Sequence, residues 1–143
     1  MKSAPPYLRN TNAVLKAFGY WPSFHDAPVV AFRYDRKGHG AVELTLHGWE
    51  MTADVDARGF YKLIKRHLVR FAFKEITEPK LDEFDSENIL FGLNFSSPED
   101  FAAVGRFSVE LDSAIGCELC GSFCAKSGEV LEVIPCDAEG RPE

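Results

Sequence analysis

His25 and Asp26 are adjacent in the chain, and that pair of residue types could move a proton. An imidazole exchanges protons near neutral pH and a carboxylate can orient it. Neighbours on an extended chain project to opposite sides, so the two pair directly only if the backbone turns between them. Without such a turn, His25 bonds a backbone carbonyl and Asp26 caps a turn. His39, His47 and His67 are scattered over other segments, and no spacing gathers them onto His25. Tyr20 and Trp21 precede Pro22. Aromatics in such a loop either anchor a partner or close the end of a core. Trp49, which follows Leu44, Leu46 and a glycine, poses the same choice.

Two groups invite a metal reading and neither completes it. Glu50, Asp54 and Asp56 lack the glycine and final glutamate of a calcium loop and read as a solvated connection. Cys117, Cys120, Cys124 and Cys136 contain one CxxC pair and no second, and an extended chain would point Cys117 and Cys120 to opposite faces. Free thiols, behaving as small hydrophobes, are expected there, with no structural metal. Glu75, Glu78, Asp82, Glu83, Asp85 and Glu87 form a denser acidic run that suits a cationic partner or simply water.

The elements that must position these residues emerge from periodicity and composition. The 143 residues are 45% hydrophobic and 27% charged, enough apolar surface for one compact domain spanning 1–143. Residues 1–8 and 137–143 are expected to be loosely ordered ends. Asn10-Thr11-Asn12 offers capping oxygens to a short helix through Phe18, closed by Gly19. A two-residue period then takes over. Val30, Phe32 and Tyr34 form a hairpin with Val42, Leu44 and Leu46. Glu50 to Gly59 reads as a polar connection, and 60–74 as one strand with Val69, Phe71 and Phe73 inward. A short edge strand at 81–85 and strands at 89–95, 107–111, 119–123 and 130–135 complete the pattern, with a helical turn beginning at Ser96. The fold class is α+β, a mostly antiparallel β-sheet of about seven or eight strands with one short N-terminal helix. Successive strands joined by short turns exclude the alternating βαβ order of nucleotide-binding folds.

Charge narrows the function. Residues 1–74 hold 12 Lys or Arg against 6 Asp or Glu, and residues 75–143 hold 4 against 16, leaving −6 overall. That balance disfavours nucleic acid as a partner and suits a basic protein surface. No run approaches the roughly 18 apolar residues needed to cross a bilayer, and the start has no apolar stretch of a secretory kind, so no membrane partner and a cytoplasmic location are expected. The common nucleotide, protease, hydrolase and EF-hand signatures are missing from the sequence.

The stretch Phe18-Gly19-Tyr20-Trp21-Pro22-Ser23-Phe24-His25-Asp26-Ala27, with Trp49-Glu50-Met51-Thr52, Leu90-Phe91-Gly92-Leu93 and Leu131-Glu132-Val133-Ile134-Pro135-Cys136, resembles the immunity protein 50 family of bacterial polymorphic toxin systems. The likeness covers residues 12 to 136, with Pro28 standing where the family pattern has an acidic residue. It implies a small cytoplasmic α+β protein, not an enzyme and without a cofactor, that binds and neutralises a cognate toxin protein. Such contact calls for an acidic, aromatic-anchored patch, and its candidate residues are Trp21, Asp82, Glu83 and Asp85, with His25 and Asp26 beside them. The alternatives are a small-ligand-binding or enzymatic domain built on the loop around His25, or an interaction domain outside toxin systems.

Overall fold

The computed structural model describes residues 3–37, 40–82, 88–97, 105–113 and 120–143. These form one helix and nine strands: β1 (Leu8–Arg9), α1 (Asn12–Phe18), β2 (Val29–Asp35), β3 (Ala41–Val55), β4 (Tyr61–Lys74), β5 (Thr77–Asp82), β6 (Leu90–Ser96), β7 (Phe107–Ser113), β8 (Cys120–Ala125) and β9 (Ser127–Pro135). The α+β class and the short helix are as the sequence predicts. The additional strand is β1, too short for periodicity to register, which pairs parallel to β9. Every other strand pairing is antiparallel, in a five-stranded sheet ordered β1-β9-β4-β3-β2 and a four-stranded sheet ordered β5-β8-β7-β6.

The two sheets are joined by strands that turn a corner together. β4 pairs with β9 in the first sheet, and their continuations β5 and β8 pair in the second. Strands commonly change sheets through a bend of this kind. Here Glu75 takes a left-handed φ of 55°, Lys126 donates its N–H to the Lys74 carbonyl (3.1 Å), and Arg106 donates to the Glu75 carbonyl (2.9 Å) and the Thr77 hydroxyl (3.1 Å). Inside the bend lie the alternate residues that periodicity marks as inward. Phe71 and Phe73 of β4 stack 5.9 Å apart, and Phe73 meets Phe95, Phe107 and Phe123 at 6.1, 6.3 and 5.3 Å. Such ring pairs add about 0.5–1.5 kcal/mol each beyond the area they bury. Trp21 lies edge-on to Phe24, Phe71 and Phe95, each at 6.3 Å.

Four local expectations change. Asn10, from the predicted capping trio, does not cap α1 but donates its amide to the Val130 carbonyl (2.8 Å), tying the helix start to β9. Bulges between Val29 and Ala31 and between Leu90 and Gly92 break the two-residue period, so Val30 and Phe91 are exposed while Leu90 is buried. The edge strand expected at 81–85 is β5, several residues earlier, and the turn expected after Ser96 falls on residues 98–104, outside those described. At the ends expected to be loose, described residues make fixed contacts: Tyr7 stacks on Phe107 at 4.4 Å and Leu8 is buried. The tail folds back so that Glu143 N–H bonds the Pro135 carbonyl (3.1 Å), its turn held by Asp137, whose carboxylate accepts from the Glu139 and Arg141 amides.

Gly121, where β8 pairs with β5, has φ 133°, and a Cβ there would overlap the Lys80 carbonyl oxygen. Gly121→Ala therefore destabilises the protein by about 3 kcal/mol, read in thermal denaturation as a melting temperature lowered by roughly 10 °C. An unchanged melting temperature would mean that β5 does not join β8 here.

Candidate functional site

The loop between α1 and β2 carries the residues singled out by type, and its backbone is stitched to β6. Asp26 N–H donates to the Leu90 carbonyl (2.8 Å), Leu90 N–H returns to the Ala27 carbonyl (2.9 Å), and Leu93 N–H bonds the Ser23 carbonyl (3.2 Å). Held in this way, Phe24 and Asp26 take left-handed φ of 59° and 63°. Those two turns supply what the sequence required for a direct pair, and His25 Nδ1 sits 3.2 Å from Asp26 Oδ2. The His25 ring also meets the exposed Phe91 edge-on at 5.0 Å. Both members of the pair are about half exposed, so water screens their interaction.

The loop faces the stretch of β3 just past Gly48. A Cβ at Gly48 would come within 3.2–3.4 Å of the Phe18 and Phe24 rings, and its absence lets helix and loop lie close on the strand. Beyond that contact Tyr20, Pro22, Ser23, Phe24 and His25 face Trp49, Glu50 and Met51 across an open cleft of about 300 Å³. Glu50 is bonded to the Tyr20 phenol, whose pKa is raised, first by burial and then by that carboxylate. Lys65 reaches Glu50 at 3.5 Å, donates to the Phe18 carbonyl (2.8 Å) and lies 5.8 Å over the Tyr20 ring. The Arg66 guanidinium covers Trp49 at 5.5 Å. Lys65 itself is left-handed, at φ 54°, so three strained residues surround the cleft. Such strain persists where the surroundings over-determine it, and it gathers at functional sites.

The sequence candidates are dispersed by the fold. His25 lines the cleft, with Asp26 as its partner. Trp21 is 4% exposed and belongs to the core, which removes it as a partner contact. Asp82 ends β5 opposite Cys120, while Glu83, Asp85, Glu87, His39 and Cys117 lie outside the described residues. Asp56 does not join Glu50 in a cation site, because its carboxylate caps a turn by accepting from the Arg58 and Phe60 amides. Cys120 and Cys124 are on β8, whereas Cys136 comes directly after β9 in the other sheet; Cys124 and Cys136 are free thiols, and burial raises the pKa of the last. Among the described residues no group of three or more His, Cys, Asp or Glu could hold a metal ion, and no helix is long and apolar enough to cross a membrane.

Sequence periodicity does not reveal one feature of this end of the molecule. Residues 50–55, expected as a polar connection, continue β3, pairing Glu50 with Ile64, Met51 with Leu63 and Val55 with Tyr61. β2 pairs with β3 only as far as Leu46, and β9 with β4 only as far as His67. The hairpin 50–65 therefore projects past both neighbours as a two-stranded ribbon. Met51 (54%), Val55 (55%), Phe60 (67%) and Tyr61 (57%) are exposed on it. The available signal was the four-residue stretch Asp56-Ala57-Arg58-Gly59 between apolar residues, which suits a hairpin loop. The chain matches no family in a scan of protein-family profiles, no curated protein and no solved structure.

At the foot of the ribbon His47 is 4% exposed, its Nε2 without a hydrogen-bond partner among the described residues. It packs edge-on to Trp49 at 5.1 Å, beneath the tail turn at Gly140. Burial, and then the Arg66 charge, hold its pKa below the ordinary imidazole value, partly offset by Asp137. A group depressed in the folded state is fully compatible with folding above its unfolded pKa of about 6.5 and opposes folding as pH falls towards its lower folded value. Between about pH 7 and pH 5 the melting temperature of the wild type falls more steeply than that of His47→Leu. Parallel curves from the two proteins would contradict a buried neutral His47.

Proposed function

We propose that this protein works by contact: it binds another protein and blocks it, in the manner of an immunity protein neutralising a toxin, and the projecting ribbon with the adjoining cleft rim is its binding face. The observation that carries the reading is the set of large apolar side chains held in water on that ribbon. Solvent-facing apolar groups gathered on one feature mark interaction sites. Fully burying each against a partner contributes about 1.5–3 kcal/mol, while an exposed ion pair adds up to about 1 kcal/mol. The apolar groups therefore hold the complex and the charges orient it. The sequence resemblance supports the toxin as partner and the cytoplasm as the place of action. The acidic run at 82–87 is not needed for this reading.

The His25–Asp26 pair at the cleft favours a second reading, a small ligand bound there and acted on by His25. The other polar groups of the cleft are spent elsewhere, Glu50 on Tyr20 and Lys65, and Ser23 Oγ on the His25 amide at 3.3 Å. This leaves His25 without the converging donors that acid-base chemistry on a ligand requires.

Co-expression with candidate bacterial toxins sought among the neighbouring genes tests the proposal. The wild-type protein restores growth against one of them and co-purifies with it, and Met51→Asp and Tyr61→Asp each weaken the complex about 10- to 100-fold with melting temperatures unchanged. Growth arrest persisting with every candidate beside the wild-type protein, or full protection by both variants, overturns it.

A further inference from the structure

The C-terminal turn is a thin strap laid over a buried base. After β9 the chain folds back at Cys136, whose N–H bonds the Arg66 carbonyl (3.1 Å) and which bridges to Pro142, while Glu143 N–H bonds the Pro135 carbonyl (3.1 Å). Within the turn, Asp137 N–H bonds the Arg141 carbonyl (2.9 Å), Gly140 N–H bonds the Asp137 carbonyl (3.0 Å), and the Asp137 carboxylate accepts from the Arg141 guanidinium at 2.9 Å. Apart from Cys136 none of these residues is buried, and Ala138, Glu139, Arg141, Pro142 and Glu143 are exposed. A segment with so few buried contacts opens locally at a fraction of the free energy of global unfolding.

Beneath the strap lies His47, with its unpartnered Nε2. Gly140 rests on the ring, where a Cβ would stand 3.4 Å from Nδ1 and 4.0 Å from Cε1. A second wall is Trp49, edge-on at 5.1 Å. The backbone of His47 is held between Leu68 of β4 and the Pro28 carbonyl, which accepts its N–H (3.1 Å). Neither flank can withdraw without breaking the five-stranded sheet, so the strap is the wall free to move. A charged ring would find little to receive it in the closed state. Arg66 on β4 opposes the imidazolium, and Asp137 in the strap favours it. That carboxylate already serves the Glu139 and Arg141 amides and the Arg141 side chain. His67, next on β4, packs on Phe18 at 5.3 Å instead. The strap's other titratable groups are Cys136, Glu139, Arg141 and Glu143.

We propose that the C-terminal strap is a pH-released latch: the 137–143 turn lifts from His47 when that ring takes up a proton, and both sheets stay intact. In the open form water solvates the imidazolium, which titrates near the ordinary value of about 6.5, so opening grows as pH falls below it. Trp49, which packs on His47 and lines the cleft, carries the change to the candidate site.

Amide hydrogen exchange of the intact protein, corrected for the intrinsic pH dependence of exchange, reads the latch directly. Protection of the Gly140, Arg141 and Glu143 amides falls about tenfold between pH 7.5 and 5.5, while amides of residues 69–73 on β4 keep theirs. In His47→Leu the strap amides hold constant protection over the same range. The wild-type ring, followed by NMR through its Cε1 proton, becomes charged only as strap protection disappears, a readout that stands even if the variant fails to fold. Strap protection that is independent of pH, that falls equally in His47→Leu, or that is lost only together with residues 69–73 overturns the latch. So does a ring that becomes charged beneath a strap still protected.

Discussion

Everything in this molecule depends on the bend that carries β4 and β9 into β5 and β8. A two-stranded ribbon alone is marginal in water because half of its surface is apolar and unburied. Folding the ribbon over on itself makes its own continuation the cover: Phe71 and Phe73 both meet Phe95, and Phe73 also meets Phe107 and Phe123. Glu75 bears the conformational cost of the corner. Arg106 satisfies the carbonyl exposed there, and the Glu75–Lys126 pair at 3.8 Å is too exposed to contribute much. The ring contacts hold the bend closed.

The same core fixes the functional end at a distance. Trp21 and Phe24 are set by their contacts with Phe71, and β6 bonds the loop that carries them, so the chain emerges at His25 in one conformation. Gly48 brings Phe18 and Phe24 onto β3 at the point where the five-stranded sheet ends. The ribbon beyond it is two-stranded, and across register shifts at Gly48/Glu50 and Met51/Val55 its two strands run on without a break from those anchored in the core. That continuity lets a hairpin with exposed Phe60 and Tyr61 hold its shape in solution, ready to dock with little ordering cost.

Inward positions were legible wherever alternation ran unbroken. Val69, Phe71 and Phe73, and Phe107, Val109 and Leu111, are buried as their spacing predicts, and Gly19 ends α1 in the left-handed conformation that its position implies. Errors entered where one residue slipped. A bulge costs the chain one unpaired residue and reverses the facing of the residues beyond it, and the exposed Phe91 is as apolar as the buried Leu90 before it. Of the candidate site, His25 and Asp26 were identified by chemistry and Trp21 was misplaced, because a tryptophan beside a proline reads the same whether it closes a core or meets a partner.

By itself the sequence determined the class of fold and the inward residues of strands such as 69–73 and 107–111, because side-chain period and hydrophobicity are local properties. Tertiary structure alone decided that His25 and Asp26 pair, that Trp21 is buried in the core and that β3 runs on past its last pairing with β2. Each of those outcomes depends on where a distant strand stops or bonds, and no window of residues carries that information.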